Sequence, residues 1–551
     1  MANSKERKKT TAKKGKKKKP KPLADPKALY DGAVSDFQAG RIKQAEIAVA
    51  RLAQEFPGDP GVMQLQGTIA LQSGDAERAA AVFREAVALA PQMPGLCDLL
   101  GTALLECGRL EEAETAYRRA LNLSVGDAGV FNNLGNVLKK QGRPEDARDA
   151  YRESLRLRPG HVATELNLGN VLEDMDDFEE AASAYRRAAV VAPDDPETLR
   201  CLGRALLAQG ELDQSQAAIV RALDLDPDHP EAREIMGIHH FLRGNLKAAW
   251  EIYDVRWRGE TERLDAFVQA PWSGEPIKGK TLLVWGEQGI GDEVSFAGMV
   301  PDLMAQGANV ILECDKRLIP LYERSFPGVD CIPRETPPVP GALNPEIDFQ
   351  ASCGSLGRWL RPDFESFPAR KSYLVADEDR RRALRARYLD GSEDFLIGIA
   401  WRSVNPRNGR HKSMPVTALA PLMNFPGTRF VNLQYGDTEG EITALEKETG
   451  VAIINDADID QMTDMDGFAA QVAALDLIVS VSNTTVHVAG ALGVPAWVML
   501  SKKPMWRWMA DRDDSPWYPS LKLFRQSQAG VWGDVIERVG AALPGAFGAK
   551  K

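Results

Sequence analysis

The segment LDLIVSVSNTTVHVAGALGVPAWVML, Leu475–Leu500, decides the fold of the second half of the chain. The apolar run LDLIVS leads into Ser482, Asn483, Thr484 and Thr485. Small apolar residues follow, then Gly493 and a second apolar run, PAWVML. A strand covered on both faces reads as an unbroken apolar run, so this order is that of a parallel β-α-β unit. Ser482–Thr485 are then the loop at the carboxyl end of a strand. The helix from about Val486 turns its free N–H groups and positive dipole end toward whatever lies beyond that loop. Asn483 or Thr484 suits its cap. The remaining groups, with His487, suit an anion such as a diphosphate.

The same grammar extends outward. TLLVWG (281–286), the glycine loop EQGIGDEVSFA (287–297) and ANVILEC (308–314) read as strand, loop with helix, and strand. DFLIGIAW (394–401), TRFVNLQ (428–434) and VAIIND (451–456) open a second unit. PRETPPVPGALNP (333–345) reads as a surface loop and RRRALRARYLDG (380–391) as a helix closing the first unit. The spacing predicts two Rossmann-like lobes over 279–392 and 393–545, with ligands at the carboxyl ends of the strands. Residues 259–278 read as a connector and 546–551 as a tail.

The first half has a different grammar. Glycines recur at 67, 101, 135, 169, 203 and 237, each 34 residues after the last. Twelve residues on stands a small residue: Ala79, Ala113, Ala147, Ala181, Ser215 and Ala249. Four further on stands a large one: Phe83, Tyr117, Tyr151, Tyr185, Ile219 and Tyr253. Prolines 57, 91, 159, 193 and 227 close the period, with Val125 standing in once, and a degenerate copy begins near Pro26. The small residues let two helices approach, the large one fills the gap to the next hairpin, and the proline ends the second helix. Period and residue types resemble the tetratricopeptide repeat, seven of them over 26–258. That resemblance implies an all-α superhelix with a concave groove. FNNLGNVL and ELNLGNVL put Asn133, Asn136, Asn167 and Asn170 at equivalent positions of successive repeats. An amide donates and accepts, so such a ladder suits the backbone of an extended acceptor peptide, as in repeat-bearing protein O-glycosyltransferases.

Composition narrows the classes. The 551 residues leave room for three or four domains. Residues 1–22 hold eleven Lys/Arg and one acid, so the net charge of −10 leaves about −20 on the rest. An acidic body argues against nucleic acid as a partner. The tail 1–25 lacks an apolar complement and reads as disordered, solvated or attached to an acidic surface. No secretory leader and no uninterrupted membrane span is expected. Six scattered cysteines, without a CxxC pair, fit free thiols in a cytoplasmic protein. No metal site is expected; DADIDQMTDMDG (456–467) has Gln461 and Gly467 where an EF-hand requires Gly and Glu.

The second half resembles bacterial glycosyltransferases of the heptosyltransferase-like family 9, especially the form fused to tetratricopeptide repeats. The motifs that carry the match are GEQGIGDEVSFA (286–297), IGIAWRSVNPRNGRHKSMP (397–415), FVNLQYG (430–436), the segment 474–500, and RWMADRDDSPWYPSLKLFRQ (507–526). The resemblance implies a GT-B α/β fold and metal-independent sugar transfer from a nucleotide-activated donor. It also implies a donor bound mainly to the second lobe and an acceptor bound to the first lobe and the repeats. No cofactor is expected beyond that co-substrate, for which a CMP-linked nonulosonic acid is one candidate.

Asp292, at the end of the glycine loop, matches the family's general base; helix capping is its ordinary alternative role, and Glu287 and Glu293 are local substitutes. Donor contacts are expected from Arg402, Arg410, Lys412, Gln434, Asn483, Thr484, Thr485, His487, Trp506 and Arg507. Trp517 and Tyr518 stack on the ligand or fasten the last helix. The family often has Asp-Thr where this chain has Asn483-Thr484, a change of donor or a loss of activity. The expected activity is transfer to Ser or Thr of a protein recruited by the repeats, with flagellin a candidate acceptor. Two alternatives stand beside it: a non-catalytic repeat scaffold, and a transferase acting on a lipid or polysaccharide.

Overall fold

The computed structural model describes residues 25–124, 126–257, 261–287, 289–404 and 409–548. The expectations for residues 1–24, for Val125 and for residues 549–551 lie outside these. The described chain forms two compact units that divide after Met175.

The first unit is all helical. It pairs Pro26–Gln38 with Ile42–Glu55, Pro60–Gln72 with Ala76–Leu89, Pro94–Glu106 with Leu110–Leu123, and Ala128–Lys140 with Pro144–Leu157, and ends on Val162–Asp174. The small residues let the paired helices approach as expected, but the large residue packs on the glycine of its own hairpin, where the expectation had it fill the gap to the next one. A Cβ placed on Gly67, Gly101 or Gly135 would lie 2.5, 2.7 or 2.5 Å from the ring of Phe83, Tyr117 or Tyr151, so only glycine allows that approach. Ala79, Ala113 and Ala147 are fully buried between the paired helices.

The second unit begins with further hairpin helices: Phe178–Val191, then Pro196–Gln209 with Leu212–Leu225, and Pro230–Leu242 with Leu246–Tyr253. Ser215 takes the alanine position, and its hydroxyl donates to Gly203 O at 2.6 Å. In the last repeat the pattern slips by one: Ile252, not Tyr253, packs on Gly237. Tyr253 is released into an aromatic cluster with Phe241, Trp250 and Trp506. Trp250 is buried, and its Nε1 donates to Arg361 O at 2.8 Å. The final hairpin is thereby built into the core of the α/β region.

That region holds two parallel sheets. The first has strands β1 (Ala270–Pro271), β2 (Thr281–Trp285), β3 (Asn309–Cys314), β4 (Asp330–Pro333) and β5 (Phe349–Ser352), in the order β1-β5-β2-β3-β4. The second has β6 (Phe395–Ala400), β7 (Thr428–Asn432), β8 (Ile453–Ile454), β9 (Leu477–Val481), β10 (Ala496–Leu500) and β11 (Leu521–Arg525), in the order β11-β10-β9-β6-β7-β8. All pairings are parallel. The unbroken apolar run of β6 is explained by cover on both faces. Leu396 and Ala400 face one core; Phe395, Ile397 and Ile399 face another, against Val535 and Val539. The segment expected as a connector instead supplies β1 and the buried Trp272 to the first lobe. Residues 546–548, expected as a tail, end the helix Gly533–Gly548, where Phe547 meets Phe395 edge-on.

Gly135→Ala is expected to destabilise the repeats by about 1–3 kcal/mol, because the added methyl must displace Tyr151. Gly95→Ala meets nothing within 4 Å and should be neutral or stabilising by up to about 1 kcal/mol. Urea denaturation followed by far-UV circular dichroism measures both; equal effects would contradict the packing role.

Candidate functional site

Each sheet has one place where the strand order reverses. In the first it is β2, flanked by β3 and β5; in the second it lies between β6 and β9. Such switch points open a crevice at the carboxyl ends of the strands. Strand β2 runs through the glycine loop into the helix Ile290–Ala297, and β9 runs through Ser482–Asn483 into the helix Thr484–Leu492. The first turns of these two helices meet. A Cβ on Gly291 would lie 3.0 Å from His487 Cδ2 and 3.7 Å from Thr484 Oγ1. The two switch points therefore share one crevice, and glycine at 291 permits the approach.

Asp292 sits in the first turn of its helix, with Oδ2 accepting from Gly289 N at 3.3 Å. Its other oxygen lies 2.5 Å from Arg507 Nη2. This is an ion pair by distance, but the N–H is not aimed at the oxygen. Arg507 Nε and Nη2 are buried without a hydrogen-bond acceptor among the described residues. The guanidinium lies 4.3 Å over the ring of Trp506 and 4.9 Å over that of Phe296, which fixes its plane. Trp506 itself packs among Phe241, Tyr253 and Trp517.

Lys412, half-buried in the loop after β6, lies within electrostatic range of the same point. Burial holds its ammonium below the usual value; Arg507 and Lys503 act in the same direction, and Asp292 opposes them. One carboxylate, two cations and the positive ends of two helices thus converge.

His487 is buried. Its Nδ1 lies 3.0 Å from Tyr518 Oη, and its ring stacks on Trp508 with centroids 5.3 Å apart. Burial, then Arg507, push its pKa down to about 3, so the ring is neutral. It is a wall of the crevice rather than a cation. Thr484 is half-buried and faces Gly291, whereas Thr485 is fully buried, its hydroxyl without a partner among the described residues.

Other expected donor contacts are placed elsewhere. Asn483 caps its helix: Oδ1 accepts from Thr485 N at 3.1 Å, and Nδ2 donates to Arg402 O at 3.3 Å. An amide serves both bonds, which a carboxylate could not. Gln434 is 1% exposed and ties β6 to β7, its Oε1 accepting from Trp401 N and Arg402 N at 3.1 and 2.8 Å. Arg402 turns away to Glu441 at 3.0 Å and Asp437 O at 2.7 Å. Arg410 is 82% exposed and reaches toward Asp176. The three cations expected as a cluster are thus dispersed, and only Lys412 joins the crevice.

The alternative bases are engaged. Glu287 is buried and held by Arg256 through two contacts of 2.8 Å and by Gly354 N at 2.7 Å. Glu293 turns into the first-lobe core, where its Oε2 accepts from Asp315 N at 2.8 Å and burial pushes its pKa up to about 7. Asp292 is the carboxylate left facing the crevice.

A cavity of about 350 Å³ opens at the carboxyl ends of β7 and β8, lined among others by Tyr435, Asp437, Glu439, Asp456 and Asp460. Its acidic wall disfavours phosphate and suits hydroxyl and amine donors.

In the first unit the amide ladder exists, but its members are engaged by neighbouring side chains. Asn133 Nδ2 donates to Asp98 at 3.3 Å, Asn167 Nδ2 to Asn132 Oδ1 at 3.1 Å, and Asn136 accepts from Tyr151 Oη at 2.7 Å. Asn170 is half-buried on the helix Val162–Asp174. Asn132, which sequence reasoning missed, joins the two repeats. It lies 34 residues after Asp98, in the same FNNLGN run, and that spacing was its signal.

Comparison with known proteins agrees with the helical half. Models described as tetratricopeptide repeat match residues 30–94 and 201–255, and 96–160 and 126–194. The helical half is a tetratricopeptide-repeat array. Protein FlbA of Caulobacter vibrioides is 37% identical over 317 residues, 54% of this chain and 52% of that protein, so the chain spans about half the length of this relative. Among solved structures, YrrB, described as a TPR protein with an unusual peptide-binding site, is 19% identical. It covers 34% of this chain and 95% of its own, with a TM-score of 0.30. Pseudomonas aeruginosa PilF is 20% identical over 38% of this chain and 96% of its own, with a TM-score of 0.35. Among the described residues no helix is long and apolar enough to cross a membrane.

Titration tests the burial of His487. An unfolded histidine has a pKa of ~6.5, so below that value the unfolded chain binds the extra proton and stability falls with pH. This residue alone should remove roughly 2 kcal/mol between pH 8 and pH 5. NMR of labelled histidine should show a flat His487 signal over that range; a titration midpoint near 6.5 would contradict its burial.

Proposed function

We propose that this protein is a glycosyltransferase that moves a sugar from a nucleotide-activated donor to a hydroxyl of a protein acceptor held by the repeats. The observation that carries the reading is the meeting of the two strand-to-helix turns, with Asp292 on one side and the helix Thr484–Leu492, Lys412 and Arg507 on the other. The donor phosphate takes the cationic side. The helix amino end and the two cations offset the negative charge that grows on the leaving nucleotide as the glycosidic bond breaks. Arg507 Nε is buried without an acceptor and Nη2 has only the misaligned Asp292 carboxylate beside it, so a phosphate oxygen can take these N–H groups. As Arg507 turns to that phosphate, Asp292 is freed to take the proton of the acceptor hydroxyl as its oxygen attacks the anomeric carbon. The nucleoside half lies in the acidic cavity beyond β7 and β8, where carboxylates accept from ribose hydroxyls and base amines.

Neutral His487, stacked on Trp508 and met edge-on by Tyr518, excludes water from one wall, which strengthens the electrostatic contacts. The repeats supply the acceptor. Tetratricopeptide hairpins present helix faces to polypeptides, and a protein acceptor fits this arrangement better than a lipid or polysaccharide. Flagellin, which the sequence resemblance suggests, is the first substrate to assay.

The test is a panel of nucleotide sugars, CMP-linked acids included, with thermal stabilisation and transfer to flagellin by intact mass as readouts. At least one donor should raise the unfolding temperature. Asp292→Asn should keep donor binding and lower kcat by about 10²–10⁴. Lys412→Met should weaken binding of the same donor about tenfold or more, as loss of a charge-assisted contact does. Absence of stabilisation by every donor, or full transfer by the Asp292→Asn variant, would overturn the reading in favour of a scaffold.

A further inference from the structure

The turn between the two helices of each repeat carries a residue at a 34-residue spacing: Gly40, Gly74, Gly108, Gly142, Asp176, Gly210 and Gly244. The six glycines have φ between +72° and +80°, the left-handed region that glycine enters freely. Asp176 has φ +65° in the same turn. Aspartate tolerates that region better than most residues, yet still at a cost that glycine avoids. A strained residue at one of seven equivalent turns points to a task for its side chain.

The carboxylate of Asp176 faces the loop after β6. Its Oδ1 lies 2.8 Å from His411 Nε2 and its Oδ2 3.6 Å from Arg410 Nε. Phe178, two residues on, packs against the His411 ring with centroids 5.1 Å apart, and Lys503 lies 4.9 Å over the same phenyl ring. His411 is only 14% exposed and is flanked by Lys503, Arg410 and Lys412, all cationic. Asp176 supplies the opposite charge in this group. The next residue, Lys412, is half-buried, and its ammonium feels the charges of Arg507 and Asp292. A contact that fixes His411 also fixes the direction of Lys412.

We propose that Asp176 is a positioning residue. Its carboxylate, presented by a left-handed repeat turn, anchors His411 and so aims Lys412 into the crevice. The anchoring stands on geometry alone; its effect on anion binding rests on the function proposed above. Glycine at this turn would ease the backbone and lose the anchor, so stability and binding should move in opposite directions.

The experiment compares the full chain with Asp176→Gly and Asp176→Asn. Asp176→Gly should leave the unfolding temperature unchanged or raise it, while hydrogen exchange at the amides of Gly409–Ser413 accelerates at least fivefold without ligand. Affinity for inorganic pyrophosphate, measured by calorimetry, should fall about five- to twentyfold. Asp176→Asn, which keeps an acceptor but no charge, should fall between. Wild-type exchange rates at Gly409–Ser413 in Asp176→Gly would overturn the anchoring. Accelerated exchange with unchanged pyrophosphate affinity would overturn the aiming of Lys412. A wild-type protein with no measurable pyrophosphate binding overturns that aiming together with the donor-site reading, and the exchange measurement still decides the anchoring.

Discussion

Two helix amino ends pressed against each other form an arrangement that opposes itself unless negative charge lies between them. Here the first turns of Ile290–Ala297 and Thr484–Leu492 meet at Gly291, and Arg507 and Lys412 add two cations to the same point. The Asp292 carboxylate faces all four sources of positive potential. It offsets part of it, and the remainder is the positive potential on which the proposed donor-phosphate site rests. This one constraint explains a glycine where any Cβ would crowd His487 and the aromatic faces that hold Arg507 in plane, and it adds to the burial that keeps the ring of His487 neutral.

The lobes bring those turns together because each sheet reverses its strand order where the turn emerges. The last repeat hairpin is part of the same body: Trp250 is buried in the first-lobe core, and Tyr253 and Phe241 share the aromatic cluster with Trp506. Arg256, just after that hairpin, clamps Glu287 in the glycine loop. The hairpin and the loop that carries Asp292 are thereby joined by buried contacts.

Periodic features were legible in the sequence. The 34-residue spacing gave the repeats and the close approach of their paired helices, though not that the aromatic residue sits on the glycine of its own hairpin, and unbroken apolar runs gave strands covered on both faces. Asp292 and the Thr484 helix were legible because a polar loop between a strand and a helix has few other positions. What was not legible was where polar side chains turn. Gln434 and Asn483 are polar residues next to the crevice, but backbone N–H groups claim them first; in a sequence, a residue that satisfies the backbone looks the same as one that awaits a ligand. Arg402 was lost to Glu441, 39 residues away. The slip from Tyr253 to Ile252 reflects tertiary packing overriding a repeat. Asp176 broke a second glycine series whose meaning depended on His411, more than two hundred residues on.

The most direct measurement is a structure of the full chain with a bound nucleoside diphosphate. The expected result is a phosphate against the amino end of Thr484–Leu492, in contact with Lys412, and with Arg507 turned from Asp292 to the phosphate. A diphosphate bound away from both helix ends, with the Arg507–Asp292 pair unchanged, would contradict it.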